Sequence, residues 1–216
     1  MANGGTRNRL FPAALFAIGV LAFAPAASAT EPYYATRVRS FLEFRQDRVV
    51  IQEWDLSCGA ATLTTLLNQQ FSDGVTEEEI AKSMLRHTDS ELVRRRLGFS
   101  LLDMKRELGR RGYRGDGYAE LKLGDLLRLA PAVVRLKGPG YDHFVIVRGT
   151  ARGRIVMADP AYGNKTMRAE EFMGKWRDGI AFVVSRSDGM RSPGELAVNP
   201  AELPFVSPQA IRAAEF

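Results

Sequence analysis

The chain has 216 residues, of which 45% are hydrophobic and 25% charged, a length and balance that fit one globular domain with a tail. A formal charge of +5, which falls to +3 without residues 1–29, is too weak to argue for nucleic acid, and the clusters Arg94-Arg95-Arg96 and Arg110-Arg111 read as solvated helix faces without the aromatic interleaving that stacks bases. The single cysteine, Cys58, excludes an internal disulfide.

The N-terminus sets the compartment. Arg7 and Arg9 precede an almost unbroken apolar run from Leu10 to Ala24, and Ala27-Ser28-Ala29 supplies an A-x-A site. This is the layout of a secretory signal peptide, residues 1–29, with cleavage expected after Ala29. The alternative is an uncleaved anchor, but the run falls short of the roughly 20 residues a span requires. No other stretch approaches membrane length. The mature form is therefore expected to be periplasmic or otherwise exported, and not membrane-spanning. Cleavage removes two arginines and no acid.

Residues 30–47 read as a polar lead-in. Val49 to Ile51 is extended. Ser57 is placed to cap a helix that begins at Cys58, in which Ala60, Ala61, Leu63, Leu66 and Leu67 recur at helical spacing as far as Gln70. Thr76 and Glu79 form a capping box for a second helix reaching about Leu85. Ser100 opens a third, stopped by Gly112, and Leu121 to Leu129 is a short fourth. Beyond Pro131 the texture changes. Ala132 to Leu136, Phe144 to Arg148, Ile155 to Ala158 and Ala181 to Ser185 are valine- and isoleucine-rich runs separated by glycine and proline, the signature of strands. One helix, about Ala169 to Trp176, interrupts them. Helices first and strands afterwards argue for an α+β fold with a mostly antiparallel sheet, over residues 48–186. From residue 187 to 216 a polar segment punctuated by Pro193, Pro200, Pro204 and Pro208 reads as a flexible or draped tail.

An exported compartment is oxidising, and structural cysteines there come in pairs. A lone Cys58 is either a buried inert side chain or a nucleophile. Its place at a helix N-terminus favours an anion, and Gly59 is expected to leave open space beside it. The chain offers two histidines as a base. His87 lies in a polar, arginine-rich stretch and reads as a surface residue. His143 opens the strand His143-Phe144-Val145-Ile146-Val147, where it can face a neighbouring helix end or be satisfied by local backbone. Asp159 closes the next strand. It either orients an imidazole or starts the turn at Pro160. Gln52, six residues before Cys58, is a candidate donor to a developing oxyanion together with the backbone N–H of Cys58.

These residues carry a resemblance. Gln52-Glu53-Trp54-Asp55-Leu56-Ser57-Cys58-Gly59-Ala60-Ala61 resembles the nucleophile motif of the bacteriocin-processing, double-glycine leader peptidases, which are papain-like cysteine peptidases. Gly98-Phe99-Ser100-Leu101-Leu102-Asp103-Met104-Lys105, Pro131-Ala132-Val133-Val134, the strand at His143, Asp159-Pro160-Ala161, Gly163 and Glu171-Phe172 resemble further segments of that family, in order. The resemblance implies a papain-like fold. It implies Cys58 as nucleophile, His143 as general base and acid, Asp159 as the residue orienting the imidazole, and Gln52 as oxyanion donor. Ser57 stands where the family often has an acidic residue. Many family members front a membrane transporter, whereas this chain carries a signal peptide and resembles standalone exported relatives linked to surface fibres. The expectation is an exported peptidase that cuts a secreted or fibre-forming subunit. A non-catalytic chaperone or binding module and an acyl transferase using the same thioester chemistry are the alternatives. No phosphate loop, nucleotide fingerprint or metal-ligand cluster occurs in the sequence, so no cofactor is expected.

Overall fold

A computed structural model describes residues 40–138, 140–191 and 194–199, all within one compact unit. The segment read as a signal peptide lies outside the described residues.

Six strands form one antiparallel sheet in the order β1-β6-β2-β3-β4-β5. β2 (Ala132–Lys137), β3 (Asp142–Ala151), β4 (Arg154–Asp159) and β6 (Trp176–Arg186) contain the valine- and isoleucine-rich runs, each strand extending past its apolar stretch. Both sheet faces are covered, so these central strands read as continuous apolar runs. Alternation sends Val133, Phe144, Ile146, Ala158, Phe182 and Val184 to one face. There they pack against α2 (Cys58–Phe71), α3 (Glu77–Leu85) and α5 (Leu101–Arg110). The neighbouring residues Val134, Val145, Val147, Ile155, Met157 and Val183 face α6 (Leu123–Leu129) and α7 (Ala169–Lys175).

Two strands and two helices were not anticipated. β1 (Tyr113–Tyr118, YRGDGY) and β5 (Gly163–Arg168, GNKTMR) are the two edges of the sheet and carry few apolar side chains. In β1 the glycine is required by packing: a Cβ on Gly115 would stand 2.3 Å from the ring of Phe182. α4 (Ser90–Arg96) buries only Val93. α1 (Phe41–Gln46) buries no residue and forms within the expected lead-in, started by a Ser40–Glu43 capping box.

α2 is the central helix, buried on nearly every side. Its threonines are satisfied internally, Thr64 Oγ1 donating to the Ala60 carbonyl and Thr65 Oγ1 to that of Ala61, both at 2.9 Å. Thr65 also accepts from the Val50 N–H at 3.0 Å, which ties the segment ahead of Cys58 to the helix. Of the 187–216 segment, residues 194–199 drape onto α2 and β3. Leu196 is fully buried, and Arg148 on β3 donates to the carbonyls of Leu196 and Ala197 at 2.9 and 3.1 Å.

Candidate active site

Cys58 is the first residue of α2 and is 4% exposed. As a first-turn residue its N–H has no partner within the helix. Ser57 does not cap α2 with its side chain. Its Oγ donates back to the Trp54 carbonyl at 2.7 Å, and the same carbonyl accepts from the Ser57 N–H at 3.2 Å. The loop before the nucleophile is thus closed on itself rather than on the helix. Gly59 does not open space either. A Cβ there would meet Phe99 Cβ at 3.3 Å and Phe144 at 3.7 Å, so the glycine permits close packing of α2 on β3.

Gln52 is anchored at both ends of the residue. Its N–H donates to the Pro160 carbonyl at 2.8 Å, and its Nε2 donates to the Trp54 carbonyl at 2.9 Å. One amide hydrogen of Nε2 remains for a further acceptor. Glu77, at the first position of α3, braces the same loop: it is 5% exposed, and its Oε2 accepts from the Glu53 N–H at 3.0 Å. Burial raises its pKa, against the nearby Ser57 hydroxyl and the Glu53 backbone N–H, which lower it.

His143 and Asp159 occupy the neighbouring strands β3 and β4. Nε2 of His143 lies 2.7 Å from Oδ1 of Asp159. Asp159 Oδ1 also accepts from the Ala161 N–H at 2.9 Å, so the carboxylate starts the turn and holds the imidazole at once. Asp159 has no solvent exposure, and the His143 side chain is 13% exposed. With Nε2 committed, the buried Nδ1 is the ring nitrogen left for the thiol. Burial opposes a charge on His143. The hydrogen bond to Asp159, then Cys58, and the attraction of both groups overcome it and raise the pKa to about 9. Burial likewise opposes the Asp159 charge, but His143 and then Lys165 pull its pKa below the ordinary value.

Gln52, Asp159 and His143 therefore meet at one end of the sheet, beside the mouth of α2 with Cys58. His87 lies apart and exposed, just beyond α3. Among the described residues, no group of three or more His, Cys, Asp and Glu is placed to hold a metal ion. Beside the site runs a cleft of about 450 Å³ lined by Gln52, Glu53, Trp54, Leu97, Tyr141 and Tyr162. Across Trp54 lies an apolar cavity of about 420 Å³ lined by Leu56, Ala81, Val93 and Phe99. Lys165, whose ammonium contacts Asp159 Oδ2, was missed in the sequence. A lysine on a polar edge strand reads as solvated, and only its register with β4 reveals the contact.

A thiol at a helix mouth, facing an imidazole and a buried carboxylate on adjacent antiparallel strands, defines the class of papain-like cysteine peptidases. The Peptidase C39 family model matches residues 46–189, and the chain belongs to that family. Two curated relatives are similar. A "Probable functional amyloid protease FapD" of Pseudomonas fluorescens is 40% identical over 151 residues, covering 68% of this chain and 65% of the relative. A protein of the same name from Pseudomonas aeruginosa is 39% identical over 149 residues, with the same coverage. The match thus spans just under two thirds of either relative's length.

Among solved structures, a double glycine motif protease from an AMS/PCAT transporter, in complex with the leader peptide, superposes with a TM-score of 0.54 at 24% identity. That match covers 64% of this chain and 90% of the other. The peptidase domain of Streptococcus ComA gives 0.53 at 19% identity, covering 64% and 97%. These two likenesses define the fold. Among the described residues no helix is long and apolar enough to cross a membrane.

Proposed function

We propose that this chain is an exported cysteine peptidase that cuts a peptide bond in a secreted, fibre-forming protein, with Cys58 as nucleophile, His143 as general base and acid, Asp159 orienting the imidazole and Gln52 donating to the oxyanion. The observation that supports the reading is the 2.7 Å contact between His143 Nε2 and Asp159 Oδ1, which leaves the other ring nitrogen available to the only thiol in the chain. The family membership supports the reaction class. The two Pseudomonas relatives, named as probable functional amyloid proteases, support a fibre-forming substrate. The basic, apolar and A-x-A pattern of residues 1–29 supports export.

The chemistry proceeds in two transfers. The thiolate of Cys58 attacks the scissile carbonyl carbon, and the electron pair of the C=O moves to oxygen. The N–H of Cys58 and the free amide hydrogen of Gln52 stabilise that oxyanion. As the oxyanion collapses, the C–N bond breaks and the imidazolium of His143 gives its proton to the departing amine, leaving a thioester on Cys58. Neutral His143 then takes a proton from water. The hydroxide attacks the thioester, the C–S bond breaks, and the acid product leaves with the thiolate–imidazolium pair restored. Asp159 stays ionised throughout and keeps Nε2–H fixed, so that Nδ1 does both proton transfers.

The test is processing of the secreted fibre subunit made in the same cells, with wild-type protein and with Cys58→Ala. A shortened subunit that appears only with the thiol present supports the proposal. Identical subunit lengths with and without Cys58 would sink it. A lone exported thiol is open to sulfenic acid and mixed disulfides, so activity of the purified protein should require a reductant.

A further inference from the structure

The two oxygens of Asp159 have different partners. Oδ1 accepts from His143 Nε2 at 2.7 Å and from the Ala161 N–H at 2.9 Å. Oδ2 is paired with the ammonium of Lys165. Strand register makes this pairing. Lys165 stands opposite Met157, and Asp159 lies two residues further along β4, so both side chains rise from the same face of the sheet. The Lys165 side chain is 31% exposed and Asp159 is fully buried, so the lysine connects solvent to a carboxylate that has none. Its Nζ also sits 5.0 Å from the ring centroid of Tyr162, in the turn that Asp159 starts.

A buried carboxylate beside a single imidazole is held through one oxygen only, and falling pH can protonate it. A neutral acid would then free the ring to turn. A second cation on the far oxygen disfavours that protonation and also fixes the carboxylate plane. We propose that Lys165 is a positioning residue of the site, whose ammonium holds Asp159 as an ionised acceptor of fixed orientation and so keeps Nδ1 of His143 aimed at Cys58. The catalytic consequence rests on the peptidase reading above; the electrostatic one does not.

Among the described residues, the groups facing this pair are few. Cys58 comes from α2 and Lys165 from β5. Tyr141 stands edge-on to His143 at 6.4 Å, and Lys137, Tyr162 and Lys175 line the cavity beside the ring. Lys175 is engaged by Glu171 at 2.9 Å. Lys165 is therefore the cation in direct contact with Asp159. It repels a charged imidazole and also offsets part of the carboxylate's pull on that imidazole. Both effects lower the pKa of His143, so losing the ammonium moves it upward from about 9. Asp159 moves upward as well.

The chain has two histidines, so His87 is an internal control. The experiment is an NMR titration of the imidazole Cε1–H signals of the purified protein, for wild type, Lys165→Met, Lys165→Gln and Lys165→Arg. The expected result is a His143 midpoint raised by about one pH unit in the two neutral variants. His87 should not move, and Lys165→Arg should retain the wild-type midpoint. Against a cleaved substrate, the neutral variants should show the acid limb of kcat displaced to higher pH with KM unchanged, because that limb moves up with Asp159. A His143 midpoint that is unmoved or lower in a folded neutral variant overturns the proposal, and two neutral variants guard against one failing to fold. Failure of the peptidase reading would show elsewhere, as wild-type protein without thiol-dependent cleavage, while the histidine titration remained measurable.

Discussion

Glu107 on α5 and Asp159 on β4 are two carboxylates buried to nearly the same degree, at 1% and 0% exposure. In both, burial works against the charge, and cationic partners still hold the pKa below its ordinary value. The partners differ in kind. Glu107 receives Arg110 at 2.7 Å, Arg111 at 2.6 Å and the Ser83 hydroxyl at 2.8 Å. Guanidinium groups do not change charge at any working pH. Asp159 instead receives an imidazole, which does, and whose pKa the only thiol in the chain also helps to raise. A shifted carboxylate is therefore no mark of function by itself. What separates the two centres is a partner that can pass a proton on.

Removing the reactive end of the Asp159 centre gives the largest effect. Cys58→Ala should lower cleavage by at least about 10⁴-fold without loss of fold, since a small side chain replaces a small buried one. Asp159→Asn should lower kcat by about 10²–10⁴-fold, because an amide can present a hydrogen rather than an oxygen to Nε2 and so favours the wrong tautomer. Single-turnover cleavage of the fibre subunit measures both. An Asp159→Asn protein of wild-type rate would place Asp159 with Glu107, as a structural ion pair. Gln52→Ala should cost about 10²–10³-fold in kcat with little change in KM, the loss of one oxyanion donor.

The same contrast explains what could be read from the sequence. Cys58 stands out because it is the only cysteine, and His143 because it opens a valine-rich strand while its one rival sits among arginines. Asp159 followed by Pro160 can be read in two ways, and the structure satisfies both, with Oδ1 serving the turn and the ring together. The central strands are legible because both their faces are buried. The edges are not: β1 and β5 carry Tyr113, Asp116, Asn164 and Lys165 where an apolar period would be needed. Ser57 misleads in a different way. Its type and position suit a cap, but the nearer Trp54 carbonyl takes its hydroxyl. Glu77 and Lys165 are invisible because each acts across a gap in sequence, on Glu53 and on Asp159, that only the fold closes.

Glu107→Gln should leave kcat per folded molecule unchanged and lower stability by about 1–3 kcal/mol, from weakened charge-assisted bonds to Arg110 and Arg111, both of which can turn to solvent. Urea denaturation beside the cleavage assay separates the two quantities. A loss of rate equal to that of Asp159→Asn would erase the distinction between the centres.

The finest discrimination comes from the pH dependence of stability. His143 is raised in the fold from 6.5 to about 9, so its contribution is complete below about 6.5 and is lost as pH rises through 9. Asp159 and Glu107 are lowered, so theirs is present above the ordinary carboxylate range and is lost as pH falls through their depressed values. The alkaline loss thus belongs to the His143 centre, and the acid loss is shared. Tyr113, held at about 12 by burial and by its hydrogen bond to Asp73, stays neutral up to pH 9.5 and does not blur the alkaline arm. Between pH 6 and 9.5 wild type should lose on the order of 1–3 kcal/mol. Asp159→Asn should flatten that arm by removing the main attraction on the imidazole. Glu107→Gln should leave the alkaline arm intact and shrink only the acid one. If both substitutions flattened the alkaline arm equally, His143 would not be its source, and the imidazole–carboxylate contact would lose its standing as the centre of the site.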